Sequence, residues 1–167
     1  VYKRQIILGP DSYRKLPNIL KRSLKNEQSI VDTKLSRYEV YEGLFPKRKG
    51  GVNAWISIMR GCDKFCTFCI VPFTRGRERS RSIDSIVKEA KDAVYNGFRE
   101  LTLLGQNVNS FKYNDYKFHD LLETISQISG VDRIRYTSPH PQDISDELLF
   151  IMQKYNNICN YIHLPLQ

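Results

Sequence analysis

Three cysteines lie close together in the sequence, and this cluster constrains the chain more than any other feature. Cys62, Cys66 and Cys69 form a C-x-x-x-C-x-x-C array, whereas the fourth cysteine, Cys159, is far from them. Such clustering is typical of a metal site rather than of a disulfide framework. Thiolates bind zinc and iron–sulfur clusters, and three of them can hold three irons of a four-iron cluster. One iron would then stay open for another ligand.

The part of the chain around and after this array alternates apolar runs with helical stretches, which predicts parallel βαβ units. We place the strands near Ala54 to Met59, Glu100 to Leu104, Arg133 to Thr137 and Tyr161 to Leu166. The chain has 167 residues, and a closed eight-stranded barrel takes about 250. The predicted fold class is therefore α/β, a partial parallel (β/α) barrel.

Three helices are predicted between and after these strands. The first begins at Ser82, a plausible N-cap, and ends at Asn96 and Gly97. The second ends at Gly130, and the third follows Ser145. The cysteine loop comes directly after the first predicted strand, and functional groups gather at that end of barrel strands.

The first 51 residues predict a separate unit and a linker. Residues 6–8 predict a strand, and the residues after Asp11 predict a helix. The Pro and Gly residues of 42–51 are typical of an interdomain linker. We therefore expect the tail of an upstream domain at 1–41, the linker at 42–51 and a truncated barrel at 52–167. Because the fourth strand would have a free edge, we expect a fragment of a longer protein.

Charge and hydropathy narrow the choice of partners. The formal net charge of +8 and the pI near 9.4 favour a polyanionic partner such as nucleic acid. No apolar run is long enough to cross a bilayer, and no signal pattern begins the sequence. We expect a soluble, cytoplasmic protein without a membrane partner.

Zinc is the alternative to an iron–sulfur cluster, with Cys159 or a histidine as the fourth ligand. Cys159 precedes the fourth predicted strand, at the opposite end of the barrel from the Cys62 loop. A strand of about six residues spans roughly 20 Å, so this position argues against Cys159 as a ligand. A zinc-stabilised RNA-binding module without catalysis remains the alternative of another class.

The array resembles the hallmark of the radical S-adenosylmethionine (SAM) superfamily, C-x-x-x-C-x-aromatic-C, with Phe68 in the aromatic position. The resemblance implies a [4Fe-4S] cluster whose open iron is chelated by SAM. Electron transfer to SAM then produces a 5′-deoxyadenosyl radical, and a barrel interior shelters such a species.

Four further segments resemble the methylthiotransferase family within that superfamily. They are residues 69–81, 103–109, 137–141 and 163–167, and all four fall at predicted strand ends or in the fourth strand. The Leu103 to Asn109 segment points to the branch that modifies isopentenyladenosine beside the anticodon of tRNA. The alternatives within the family are threonylcarbamoyl-adenosine in tRNA and a ribosomal protein.

The family resemblance also implies partners and a second cofactor. They are tRNA, an electron donor such as a flavodoxin or ferredoxin, and an auxiliary cluster held by three cysteines of an upstream domain. No cysteine precedes Cys62 in this sequence, so the chain can hold one cluster only. We also expect this chain to lack the small RNA-binding domain that the family carries at its C-terminus.

The predicted site residues fall into three groups, and no catalytic side chain is assigned. The metal ligands are Cys62, Cys66 and Cys69. By the resemblance, or by position at a strand end, the SAM contacts are Phe68, Gly105, Gln106, Asn107, Ser138 and Gln167. In an extended segment, alternate arginines would share one side and contact RNA phosphates, unless they form only a solvated basic loop. These are Arg75, Arg77, Arg79 and Arg81.

Overall fold

The computed structural model describes residues 6–26 and 29–165, and its centre is a three-stranded parallel sheet. The strands are β3 (Asn53–Ser57), β6 (Glu100–Leu104) and β9 (Arg133–Tyr136), in the order β3-β6-β9. The helices that follow them are α3 (Ile83–Tyr95), α4 (Phe118–Ser126) and α5 (Asp146–Lys154). The three strands and three helices confirm the predicted α/β class.

Side-chain alternation decides which face of the sheet is covered. Ala54 and Ile56 of β3 are buried, whereas Trp55 between them is 55% exposed. Ile56 pairs with Leu103 of β6, and Leu103 pairs with Tyr136 of β9, so the apolar positions of the three strands share one face. The apolar sides of the three helices form the main core with this face.

The helix ends follow the capping signals in the sequence. The Ser82 hydroxyl accepts the backbone N–H of Ser85 at 3.3 Å, and that of Ser145 accepts the N–H of Leu148 at 3.3 Å. After α3 the chain turns at Gly97, whose φ of 89° is in the left-handed region that favours glycine. These caps set where the chain re-enters the sheet.

The predicted fourth strand is wrong over the described residues 161–165, which form no strand. The chain touches β9 earlier, through an isolated parallel bridge between Ile134 and Ile158. Two backbone hydrogen bonds hold it: the Ile134 N–H donates to Asn157 O at 2.7 Å, and the Cys159 N–H donates to Ile134 O at 3.0 Å. Among the described residues after Cys159, no further pairing extends the ladder. Leu166 lies outside the described residues.

The first part of the chain forms a small parallel unit of its own. It contains β1 (Ile6–Leu8), a 3₁₀ segment (Pro10–Lys15), α1 (Leu16–Asn26) and β2 (Ile30–Asp32). Strand β1 pairs with β2 in parallel, with Ile6 opposite Ile30. The predicted strand and helix are confirmed. The apolar side chains of this helix are only partly covered, because Ile19 is buried while Leu24 is exposed.

Three short hairpin and helical elements lie between the main ones. Strands β4 (Met59–Arg60) and β5 (Arg79–Ser80) pair antiparallel, and helix α2 (Val71–Arg75) lies in the loop that they enclose. Strands β7 (Lys112–Tyr113) and β8 (Tyr116–Lys117) form a second hairpin. None of the helices in the described ranges is long and apolar enough to cross a membrane.

Candidate metal centre

The loop that carries the three cysteines is closed at its base by the β4–β5 hairpin. Inside the hairpin, the Cys62 N–H donates to the Gly76 carbonyl at 3.1 Å. Gly61 has a φ of 77°, and a Cβ there would lie 2.0 Å from the Arg77 carbonyl oxygen. Only glycine fits this crossing. The first cysteine is therefore held at a position set by backbone contacts.

All three cysteine side chains line one cavity of about 270 Å³. Cys62 is 7% exposed, and Cys66 and Cys69 are half-buried. Burial raises the pKa of the Cys62 thiol, and the neighbouring Glu78 carboxylate adds to the shift, although the Lys64 backbone N–H opposes it. Thiols in such surroundings favour a cationic partner that stabilises the thiolate.

The cavity is formed by loops at the carboxyl ends of the parallel strands, together with the segment before Leu166. The loop after β3 and β4 supplies the cysteines and Phe68, and the loops after β6 and β9 supply most of the remaining wall. The other lining residues are Lys64, Val71, Gln106, Asn107, Ser138, Pro139, His140, His163 and Pro165. The cavity thus lies where an α/β barrel places its functional groups.

Asp143 joins these three loops to one another. One of its carboxylate oxygens lies 2.7 Å from Lys64 Nζ, and the other accepts the Asn107 side-chain amide at 2.7 Å. Lys64 lies in the cysteine loop, Asn107 in the loop after β6 and Asp143 in the loop after β9. Both contacts are shielded, so the loops are held together more strongly than by a solvated ion pair.

His140 lies beside the second cysteine. Its Nε2 is 3.7 Å from Cys66 Sγ, and its Nδ1 accepts the Gln142 backbone N–H at 3.2 Å. The His140 backbone is held by Asn109, whose side-chain oxygen accepts the His140 N–H at 2.8 Å and whose amide donates to the His140 carbonyl at 2.9 Å. The ring is therefore fixed against the cysteine loop.

Some of the predicted SAM contacts line the cavity in the structure, and others do not. Phe68, Gln106 and Ser138 line the cavity. The Gln106 side-chain oxygen accepts the Gly61 N–H at 2.7 Å, and Ser138 has a φ of 55°. Gly105 does not line the cavity: a Cβ there would lie 2.6 Å from Met59 Cγ, so its small size serves packing. Gln167 lies outside the described residues.

Asn107 also lines the cavity, but its side chain is used within the protein. It is 1% exposed, its amide donates to Asp143, and its oxygen accepts the His140 N–H at 3.2 Å. Its side chain therefore links the loops after β6 and β9, and the contact with SAM stays a prediction.

The four alternate arginines do not share one side, so that geometric prediction is wrong. Arg81 is 2% exposed and pairs with Glu89 at 2.6 Å, and its guanidinium donates to the Ser57 carbonyl at 2.8 Å. The Arg79 side chain is 9% exposed, and its guanidinium lies 3.7 Å from Asp11. Arg75 and Arg77 are exposed, because helix α2 and the Gly76 turn interrupt the extended segment.

Sequence reasoning assigned no role at the site to Lys64, Asn109, His140 or Asp143. His140 is in the segment after the third strand, so its position at a strand end was a usable signal. The roles of Asp143 and Asn109 depend on contacts between separate loops, for which the sequence has no local signal. Within the described ranges, no three His, Cys, Asp or Glu side chains converge on a point where a single metal ion would be held.

Comparison with protein families decides the assignment of the chain. Residues 56–167, about two thirds of the chain, match the family described as the Radical SAM superfamily. The chain belongs to the radical SAM superfamily. This membership implies a [4Fe-4S] cluster and SAM as cofactors.

Curated relatives of this radical SAM chain carry the name tRNA-2-methylthio-N(6)-dimethylallyladenosine synthase. The protein from Porphyromonas gingivalis strain W83 is 49% identical over 97% of the chain, and that from Amoebophilus asiaticus is 48% identical over 97%. The protein from Parabacteroides distasonis is 43% identical over the whole chain. The chain spans only 36–38% of the length of these three relatives.

A solved structure supports the radical SAM fold. The radical SAM methyltransferase TsrM from Kitasatospora setae, with tryptophan and a SAM analogue bound, matches 71% of this chain and 24% of its own chain. The TM-score is 0.51 and the sequence identity is 17%. The likeness therefore extends to the fold alone.

The residues around the cavity fit the cofactors that membership of the radical SAM superfamily implies. Three cysteines of one loop line a common cavity, and sulfur is the ligand that iron–sulfur clusters use. Polar groups of Gln106 and Ser138 stand on the same wall, where a small polar cosubstrate needs partners. Phe68 is 77% exposed at the edge of the cavity and offers an apolar surface.

Proposed function

We propose that this chain is the cluster-binding part of a tRNA methylthiotransferase that acts on dimethylallyladenosine, also called isopentenyladenosine. The observation that carries the proposal is that Cys62, Cys66 and Cys69 line one cavity at the carboxyl ends of the parallel strands. Relatives of that name, 41–49% identical over 97–100% of the chain, support the choice of reaction. The activity is proposed for a protein as long as these relatives, because the chain spans only 36–38% of their length.

The three cysteines would hold the cluster, one thiolate to each of three irons. When bound, the cluster and SAM supply radical chemistry at a carbon–hydrogen bond. The Gln106 amide oxygen accepts the Gly61 N–H, and its amide nitrogen would contact SAM. Ser138 would offer its hydroxyl, which has no hydrogen bond among the described residues. Phe68, Val71 and Pro165 would exclude water from the cavity.

The proposed nucleic-acid contacts are Arg75 and Arg77. Both are exposed on the cysteine loop, and the Arg77 guanidinium lies 2.8 Å from Asp63 with its side chain 74% exposed. An exposed guanidinium can exchange such a partner for a phosphate at little cost. The net charge of +8 supports a polyanionic substrate. We include tRNA as the partner on these grounds.

The remaining parts of the proposal concern the longer protein. Residues 1–41 would belong to an upstream domain and 42–51 to a linker. An auxiliary cluster in that domain would be the second cofactor, and a flavodoxin or ferredoxin would supply electrons. The expected cellular location is the cytoplasm.

The metal test uses anaerobic reconstitution of the protein followed by iron and zinc analysis. We expect about four irons per chain with the absorbance of a [4Fe-4S] cluster. Cys66→Ala should lose the cluster and abolish SAM cleavage, whereas Cys159→Ala should keep both, because Cys159 lies beside the amino end of β9. Stoichiometric zinc without iron, or full cleavage by the Cys66 variant, would contradict the proposal.

The substrate test uses mass spectrometry of tRNA nucleosides from cells that lack the full-length gene. The methylthio form of dimethylallyladenosine should disappear and should return when the gene is supplied again. Loss of methylthio-threonylcarbamoyl-adenosine, or of a modified ribosomal protein, would instead favour one of the two alternatives within the family.

A further inference from the structure

We infer that His140 donates a hydrogen bond to the sulfur of Cys66 and so raises the reduction potential of the cluster held by the three cysteines. The inference rests on the proposed cluster and goes beyond it by assigning a positioning residue. His140 Nε2 lies 3.7 Å from Cys66 Sγ, within the range of hydrogen bonds to sulfur. His140 itself need not touch iron or SAM for this effect.

The hydrogen on the ring is assigned by the contact at its other nitrogen. The Gln142 backbone N–H donates to His140 Nδ1 at 3.2 Å, so Nδ1 must present a lone pair. In a neutral imidazole the other nitrogen then carries the hydrogen. The nitrogen that faces Cys66 is therefore the donor.

The backbone around His140 leaves the ring little freedom to turn away. Pro139 and Pro141 flank the residue, which restricts the chain on both sides. Its N–H and carbonyl are both bonded to the side chain of Asn109, which is 9% exposed. His140 also caps the 3₁₀ segment Pro141–Asp143. The donor is thus preorganised before any cofactor arrives.

A hydrogen bond to a ligand sulfur changes the energy of the two redox states unequally. The reduced cluster carries one more negative charge, so a donor stabilises it more than the oxidised cluster. The contact is partly buried, so the effect is less screened than in water. Removal of the donor should therefore make the midpoint potential more negative.

The decisive variant is His140→Asn. An asparagine oxygen can still accept the Gln142 N–H and cap the 3₁₀ segment, but its side chain is too short to reach Cys66. The reconstituted wild-type and variant proteins are titrated with dithionite while the reduced cluster is followed by electron paramagnetic resonance. We expect a more negative midpoint potential for His140→Asn. His119→Asn, on helix α4 beside Asp120, is the control and should keep the wild-type potential.

A second measurement does not require the variant to hold a cluster. A two-bond ¹H–¹⁵N spectrum of the iron-free protein, recorded where the ring is neutral, reports which nitrogen of His140 carries the hydrogen. We expect the Nε2–H form, and the Nδ1–H form would overturn the inference. An unchanged potential in His140→Asn with full iron content would also overturn it and leave the proposed function intact. Zinc in place of iron in the wild-type protein would refute the proposed function itself.

Discussion

Gly61, immediately before the first cysteine, combines a left-handed backbone with a very close contact. Its φ is 77°, and the carbonyl oxygens of Gly76 and Arg77 lie 2.5 and 2.0 Å from where a Cβ would be. A side chain would therefore be strained in its own conformation and would also push the two arms of the cysteine loop apart. The position of Cys62 depends on this one residue.

Gly61→Ala should lower the free energy of unfolding by about 3 kcal/mol or more and should reduce iron retention. Gly97→Ala is the control, because Gly97 has a similar φ of 89° but open space around it. Gly97→Ala should lower the free energy of unfolding by only about 1–2 kcal/mol, the cost of a left-handed backbone at a residue with a side chain. Urea denaturation of both variants measures the difference. Equal losses would mean that the contact with Arg77 has no energetic weight.

Glu39 provides a test of how the stability of the protein depends on pH. Burial tends to raise the pKa of its carboxyl, but hydrogen bonds from Arg14 and from the Tyr41 N–H outweigh burial and place the pKa below the ordinary 4.5. The stabilisation is therefore fully present above pH 4.5 and is lost as the pH falls through the lower, folded-state value.

The advantage of the wild-type protein over Glu39→Gln should thus shrink in acid. Denaturation curves between pH 7 and pH 3 would show the two unfolding free energies converging below about pH 4.5. If the difference between the two unfolding free energies stays constant over this range, the charge of the Glu39 carboxylate does not contribute to stability.

The N-terminal unit and the cysteine hairpin are joined by a buried ionic contact. Asp11 lies 2.5 Å from the Arg60 guanidinium, with side-chain exposures of 1% and 4%, and 3.7 Å from that of Arg79. The Tyr41 ring covers Arg60 at 4.0 Å. Since Arg60 is in β4 and Arg79 is in β5, Asp11 contacts both strands that close the cysteine loop.

Asp11→Asn should destabilise the protein by about 3–5 kcal/mol, because it removes the buried carboxylate that pairs with the guanidiniums of Arg60 and Arg79. Glu123→Gln is the control: Glu123 pairs with Lys154 at 2.7 Å, but both side chains are at least one-third exposed. That variant should change stability by less than about 1 kcal/mol. Chemical denaturation of the two variants compares them directly, and equal effects would contradict a special role for Asp11.

The elements of this fold differ in how far the sequence could predict them. Strands β3, β6 and β9, the cap Ser82 and the start of the third helix after Ser145 carry local signals, and these predictions are confirmed. The pairing of β1 with β2 has no local signal, because it depends on contacts across more than 20 residues. The alternation of arginines predicted one shared, solvent-facing side, and this was wrong because the sequence could not reveal Asp11 and Glu89, the partners of Arg79 and Arg81.

In the site too, features with a local sequence signal could be predicted, and contacts between distant residues could not. The cysteine spacing predicted the residues that line the cavity, because three thiols so close in sequence lie on one loop. The links from Asp143 to Lys64 and Asn107 join residues 79 and 36 positions apart, and residue types alone do not predict them. The predicted strand at 161–165 was wrong because an apolar sequence does not by itself provide a pairing partner.

In the molecule as a whole, some arginines form ion pairs that stabilise the fold, and others are exposed and could contact a partner. The net charge is +8, but Arg60, Arg79 and Arg81 are neutralised in the interior. Arg75 and Arg77 remain exposed on the cysteine loop. These two side chains are therefore the ones that we propose for contact with RNA phosphates.

The double variant Arg75→Gln, Arg77→Gln should weaken tRNA binding by the full-length protein and leave its stability unchanged. The slope of log affinity against log salt should become shallower by about 1.5, the value for two lost phosphate contacts. Arg133→Gln is the control, because Arg133 is exposed at the amino end of β9 beside Glu100. A slope that is the same in all three proteins would remove these arginines from the RNA interface.

The hairpin of β4 and β5 has a consequence for how such a protein can diversify. It brings the two ends of the cysteine segment to neighbouring points, so the segment is a closed loop on a constant frame. The entropy of closing a loop grows only with the logarithm of its length, so residues can be gained or lost there at small cost to the frame. The loop that lines the cavity and the scaffold beneath it are therefore free to evolve at different rates.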